Sequence, residues 1–145
     1  MKFVLALLIL ALSPLLPLAA ASAAEPVPTP KPIFFATGSR SGTVGGGVIR
    51  GERVLYSLKA IAGQIMTVTI TTPDGNAVFQ IYEPNTKISR NDDGILEFKG
   101  TALHGAADGE DATRWRGALP ISGLYVIAVG STRGNARYSM DVKIE

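Results

Sequence analysis

The sequence predicts an all-β fold, a small antiparallel β-sandwich of about seven or eight strands. Short segments of alternating apolar and polar residues recur every 8–12 residues or so, with Gly, Pro, Asn or Asp between them. No apolar repeat with the 3.6-residue helical period continues long enough to bury one face of a helix. Because the chain has 145 residues, we expect one domain with a single core.

The clearest strand signal is in segment 65–71. Met66, Val68 and Ile70 alternate there with threonines, which is typical of a strand with one buried and one solvated face. The glycine-rich segment 38–51 is expected to hold one or two strands with kinks or bulges. Similar alternation, or a short apolar run between turn residues, predicts further strands over 54–58, 77–82, 95–98, 113–117, 124–129 and 138–144.

Residues 1–24 have the three parts of a secretory signal peptide. Lys2 supplies the positive charge, residues 3–18 are almost entirely apolar, and Ser22-Ala23-Ala24 offers the small residues that a signal peptidase accepts. The apolar run is interrupted by prolines and is shorter than the ~20 residues that a membrane-spanning helix needs. We therefore expect a cleaved leader, a periplasmic protein and no membrane attachment after cleavage.

Residues 25–34 are predicted to form a proline-rich tether. The sequence EPVPTPKP favours an extended chain with few hydrogen bonds over a folded element. The β-sandwich domain is then expected over residues 35–145.

Charge and cysteine content exclude several functional classes. The chain has 14 basic and 12 acidic residues, and loss of Lys2 leaves a mature charge of about +1. This net positive charge is too small for a protein that binds nucleic acid through the phosphates. The absence of cysteine excludes thiol catalysis, Cys-based metal sites, disulfides and a lipoprotein anchor. We expect no cofactor.

Few residues suit catalysis, and we predict that the protein is not an enzyme. His104 is the single histidine and is expected to be a solvated loop residue, with no nucleophile elbow in the chain. Acidic residues of segment 83–111 resemble turn residues more than a catalytic carboxylate pair. Their oxygens suit Ca²⁺ better, although the EF-hand spacing is absent. Weak calcium candidates are Asp92, Asp93, Asp108 and Asp111.

Trp115 lies between two arginines in a predicted strand. Alternation places Trp115 on one face, with Arg114 and Arg116 on the other. The indole is therefore either part of the core or an exposed platform for a sugar.

The loop predicted at 131–137, between the last two strands, is the most informative segment. It carries Arg133 and Arg137, no acidic residue, and a Gly134-Asn135 pair suited to a left-handed turn. Because so short a loop cannot bury two guanidinium groups, both are expected to project from the rim of the sandwich. Arginine pairs bidentately with carboxylates, so the loop suits an acidic cleft on a partner protein. Two solvated arginines are the simpler alternative.

The order and spacing of several residues resemble the bacterial periplasmic inhibitors of g-type lysozyme. The first part of the match comprises Gly38, Ser41, Gly46 or Gly47, Ile49, Gly51, Tyr56, Ala60 and Gly63-Gln64. The second comprises Leu119-Pro120-x-Ser122-Gly123-x-Tyr125, Val129, Thr132-Arg133-x-x-Ala136-Arg137 and Tyr138. The chain is also similar, more broadly, to the pre-peptidase C-terminal domains, and the arginine loop is the more discriminating piece.

The resemblance implies a β-sandwich that plugs the active-site cleft of a lysozyme, g-type favoured, and so protects peptidoglycan. It implies that Tyr56, Arg133 and Arg137 contact the enzyme, and that Ser131 and Asn135 shape the loop. The alternative is a secreted, non-catalytic module of the pre-peptidase type that binds cell-wall carbohydrate or calcium. Segment 83–111 is longer and more acidic than the family pattern leads us to expect.

Overall fold

The computed structural model describes residues 23–145, which form ten strands and no helix. The predicted signal peptide lies outside these residues except for its last two positions. In the described part of the chain, no helix is long and apolar enough to cross a membrane. The strands are β1 Lys31–Pro32, β2 Ser41–Val48, β3 Val54–Ala60, β4 Ile65–Thr71, β5 Ala77–Tyr82, β6 Lys87–Arg90, β7 Leu96–Lys99, β8 Arg114–Ala118, β9 Gly123–Ser131 and β10 Ala136–Ile144.

Two four-stranded sheets form the predicted β-sandwich. One sheet has the order β1-β3-β9-β5 and the other β2-β10-β4-β8; we call them the β9 sheet and the β10 sheet. Every pairing is antiparallel except that of β1 with β3. The predicted fold class is therefore confirmed.

The core lies between the inner faces of the two sheets. Met66, Val68 and Ile70 of β4 are buried there, while the threonines between them point outward, as the alternation predicted. Phe79 of β5 and Tyr125 of β9 are fully buried from the facing sheet. Burial of alternate residues on both sheets gives one continuous core, which is the expected packing of a sandwich.

Segment 83–111 covers the outer face of the β9 sheet. It contains the β6–β7 hairpin, whose Phe98 stacks on Tyr82 with ring centroids 4.5 Å apart and planes within 5°. Leu55, Val126 and Ala128 are buried beneath it in a second apolar cluster. Strand β9 is thus buried on both faces, which explains its unbroken apolar run.

The first strand pairing within residues 23–145 falls in the segment predicted as a tether. Lys31 and Pro32 pair with β3, and the Ile33 amide donates to the Ser57 carbonyl at 2.8 Å. Ile33 is itself a core residue, only 7% exposed. The folded domain therefore begins before residue 35.

Candidate functional site

Three turns meet at one end of the sandwich, which we call the loop end. They are residues 49–53 between β2 and β3, 72–76 between β4 and β5, and 132–135 between β9 and β10. The last turn is shorter than predicted, because Ala136 already pairs with Val48. Arg137 consequently belongs to strand β10.

Asn76 holds the arginine-bearing turn in place. Its side-chain amide donates to the carbonyls of Arg133 and Asn135 at 2.9 and 3.0 Å, and its own carbonyl accepts from the Thr132 amide at 2.9 Å. The Thr72 hydroxyl lies 3.2 Å from its Oδ1. Asn76 is only 4% exposed, so these bonds satisfy a buried polar group. The sequence marked it only as a turn residue, because its partners are more than fifty positions away.

Ser131 and Asn135 complete the internal bonding of the loop end. The Ser131 hydroxyl donates to the Gly134 carbonyl at 2.6 Å, closing the turn. Gly134 has a φ of 56°, the left-handed conformation anticipated for this pair of residues. The Asn135 side-chain oxygen accepts from the Arg50 amide at 3.0 Å, tying this turn to the one after β2.

Arg133 and Arg137 are both exposed, but they leave the fold from different places. The Arg133 guanidinium donates to the Asp74 carbonyl at 2.5 Å and so lies on the neighbouring turn. Arg137 projects from the outer face of the β10 sheet, opposite Gly47 of β2, which has no side chain to cover it. Asp74 and Arg137 line one shallow depression of about 570 Å³. The two arginines thus flank one surface.

Ile49 and Arg50 extend this surface, although no sequence motif marks either of them as a site residue. Ile49 is 66% exposed beside the depression, and Arg50 is exposed next to it. We call Ile49, Arg50, Arg133 and Arg137 the cationic rim. Glu52, of the same turn as Arg50, lies 3.4 Å from the Arg90 guanidinium on the β6–β7 hairpin. An exposed apolar residue among arginines is typical of protein-binding surfaces.

Tyr56 lies in the core, which corrects the expectation that it contacts a partner. It is 4% exposed, and its hydroxyl bonds to that of Tyr138 at 2.7 Å across the sandwich. The rings meet edge to face, with centroids 6.5 Å apart. Burial, and then the bond to Tyr56, raise the pKa of Tyr138 far above its usual value. Strand alternation turns Tyr56 inward with Leu58.

The calcium candidates fall into two pairs on separate segments, with Asp108 and Asp111 in the loop between β7 and β8. Asp92 and Asp93 lie in the β6–β7 turn, where the Asn91 side chain accepts from the Asp93 and Ile95 amides. Asp108 accepts from the Gln80 amide at 2.7 Å in another loop. Within residues 23–145, no group of three or more His, Cys, Asp or Glu side chains is arranged to hold a metal ion. The convergence that a calcium module needs is therefore missing from this region.

Trp115 is half-buried against the core. Its indole N–H donates to the His104 carbonyl at 2.9 Å, and Gly105 and Gly117 approach its ring. This environment favours the core interpretation over a sugar platform. His104 is fully exposed in its loop, with Glu110 3.7 Å away, as expected of a solvated histidine.

The fold and part of the sequence are similar to solved lysozyme inhibitors. Aeromonas hydrophila PliG, a periplasmic lysozyme inhibitor of g-type lysozyme, is 29% identical, with a TM-score of 0.61 over 81% of this chain and 96% of that one. Salmonella Typhimurium PliG, of the same description, is 21% identical, with a TM-score of 0.56 over 82% and 100%. A mutant of the Escherichia coli inhibitor is 21% identical, with a TM-score of 0.55 over 81% and 100%. No protein-family model and no curated protein sequence matches the chain. The resemblance predicted from the sequence is confirmed by these structures.

Proposed function

We propose that this protein is a periplasmic inhibitor of g-type lysozyme and that it binds the enzyme through the cationic rim. The observation that carries the proposal is the similarity to the Aeromonas inhibitor. It includes 29% sequence identity as well as a shared fold, and it covers 96% of that protein. The solved neighbours are described as inhibitors, in agreement with the non-catalytic prediction.

The cationic rim has the chemistry that a lysozyme cleft demands. Glycoside hydrolysis needs carboxyl groups that stay accessible to substrate, and a guanidinium fork is a strong partner for such groups. Arg133 is presented on a turn that Asn76 fixes in advance, so little conformational entropy is lost when the loop end binds. Tyr56, being buried, stabilises the fold instead of touching the enzyme.

Export fits the same function. We propose that residues 1–24 are a cleaved leader and that the proline-rich segment after them leads into the first strand. The three neighbours are described as periplasmic, where an inhibitor meets lysozyme before it reaches peptidoglycan. Expression of the full chain, followed by mass measurement of the periplasmic product, tests cleavage after Ala24.

The test of inhibition is lysis of a peptidoglycan suspension, followed by turbidity. The periplasmic product should abolish g-type activity stoichiometrically, with c-type and i-type enzymes run in parallel. The variant Arg133→Ala/Arg137→Ala should lose inhibition. Arg40→Ala is the matched control, because Arg40 is an exposed arginine next to Ser41, the β2 residue that pairs with Lys143 at the end of the sandwich opposite the loop end. Absence of g-type inhibition, or equal loss in the control, would refute the proposal.

A further inference from the structure

A second concave surface lies between the β6–β7 hairpin and the β9 sheet, apart from the cationic rim. It has a volume of about 650 Å³, which is within the range of small-ligand sites. Arg53, Gln80, Tyr82 and Asp108, together with the exposed Glu97 and Lys99 of the hairpin, supply its polar groups, while Leu96 and Phe98 supply an apolar wall. No residue of the cationic rim lines this cleft.

A chain of hydrogen bonds orients the acidic side of the cleft. The Tyr82 hydroxyl donates to Gln80 Oε1 at 2.9 Å, and Gln80 Nε2 donates to Asp108 Oδ1 at 2.7 Å. Burial raises the pKa of Tyr82, with a smaller contribution from the charge of Asp108, so its hydroxyl remains a donor at neutral pH. The hydrogen bond to Oδ1 therefore orients the Asp108 carboxylate and leaves Oδ2 available to a ligand.

The basic side of the cleft is equally constrained. The Arg53 guanidinium lies over Gly130 so closely that a Cβ there would be 2.8 Å from Nη1. Its one hydrogen bond in residues 23–145 goes from Nη1 to the Glu52 carbonyl at 3.2 Å. Gly130 is buried, and it allows the guanidinium to settle against the sheet.

Arg53 and Asp108 face the same cleft without forming an ion pair with each other. Asp108 is exposed, but Arg53 is partly buried, and a partly buried charge ordinarily has a partner because desolvation without one is unfavourable. Two fixed, opposite and separated charges are complementary to a molecule that itself carries both charges. A simple anion would be repelled by Asp108, and a neutral sugar would leave the partly buried Arg53 guanidinium without a counter-ion.

We propose that this cleft binds an amino acid or short peptide, with the ligand carboxylate on Arg53 and its ammonium on Asp108. The apolar wall formed by Leu96 and Phe98 then receives an aliphatic side chain of the ligand. The proposal does not depend on lysozyme inhibition, because the two surfaces share no residue.

The experiment is an NMR titration of the isotope-labelled periplasmic product with three probes. They are the dipeptide Ala-Leu, N-acetyl-Ala-Leu, which lacks the ammonium, and Ala-Leu amide, which lacks the carboxylate. Ala-Leu should shift the amide signals of the cleft residues saturably, with a Kd of about millimolar. Each blocked peptide should bind at least about tenfold more weakly.

Variants assign each charge to its partner. Arg53→Gln should weaken the binding of Ala-Leu about tenfold but leave the already weak binding of Ala-Leu amide unchanged. Asp108→Asn should also weaken the binding of Ala-Leu about tenfold, but leave the already weak binding of N-acetyl-Ala-Leu unchanged. Arg133→Ala/Arg137→Ala should bind Ala-Leu normally, which separates this site from the proposed inhibition. Equal binding of all three probes, or no saturable shift with Ala-Leu, would overturn the proposal. The probe comparison on the unmodified protein decides the matter even where a variant fails to fold.

Discussion

Asn76→Ala is the change that separates the arrangement of the cationic rim from its composition. The substitution keeps every arginine and removes the amide that donates to the Arg133 and Asn135 carbonyls. A net hydrogen bond contributes about 1 kcal/mol to stability, so loss of two lowers the free energy of unfolding by about 2 kcal/mol. A urea titration measures this loss from the midpoint and slope.

Inhibition should weaken as well, because the turn of Arg133 is no longer fixed before binding. Ordering one backbone residue costs about 1–2 kcal/mol, and 1.4 kcal/mol is a factor of ten in affinity. We therefore expect the concentration of Asn76→Ala needed for half-inhibition of g-type lysozyme to rise about tenfold. Turbidity assays must be run well below the melting temperature of the variant.

Asn91→Ala is the matched control for this prediction. The Asn91 side chain also closes a turn with two hydrogen bonds, but that turn, between β6 and β7, contains no residue of the cationic rim. The control should lose some stability and inhibit fully. If Asn76→Ala inhibits as well as Asn91→Ala does, the turn need not be held in advance and the reasoning is wrong.

Three further predictions concern the rim and the tyrosine pair. Arg133→Ala/Arg137→Ala should change the free energy of unfolding by no more than about 0.5 kcal/mol, measured in urea, since both side chains are exposed; unfolding of this variant would show that the arginines are structural. Tyr56→Phe should lower stability by about 1–3 kcal/mol, because the buried Tyr138 hydroxyl loses its partner, while inhibition of g-type lysozyme stays unchanged. The pKa of Tyr138 is raised in the folded state, so its contribution to stability is complete below the usual value of about 10 and is lost as pH rises beyond it. Thermal melting followed along an alkaline pH series should therefore show a steep loss of stability in the unmodified protein and a shallower one in Tyr138→Phe.

Individual residues show what the pattern of apolar and polar residues can predict and what it cannot. Alternation in 65–71 predicted both the strand and its buried face, because each strand residue points opposite to its neighbour. The same reasoning left Tyr56 open between core and surface, and the resemblance placed it at the surface. Only the facing sheet decides, since Tyr138 supplies the partner for its hydroxyl from 82 positions away.

Segment 83–111 shows a different limit. Its charges and turn residues suggested a polar loop with one short strand, yet two strands form and Phe98 stacks on Tyr82. A few apolar residues among many polar ones give little periodic signal. Segment 83–111 packs on the outer face of the β9 sheet. That face includes residues of β9, which follows the segment in the chain.

The sequence by itself determined the fold class, most of the strands, the inner faces of the sandwich and the resemblance to lysozyme inhibitors. These features depend on residues close together along the chain, where a period of two or a turn residue suffices. The tertiary structure decided that Asn76 holds the turn of Arg133, that Arg137 leaves from a strand, and that Ile49 and Arg50 join them. A surface of this kind is assembled from turns far apart in the chain, and their meeting is set by how the two sheets pack.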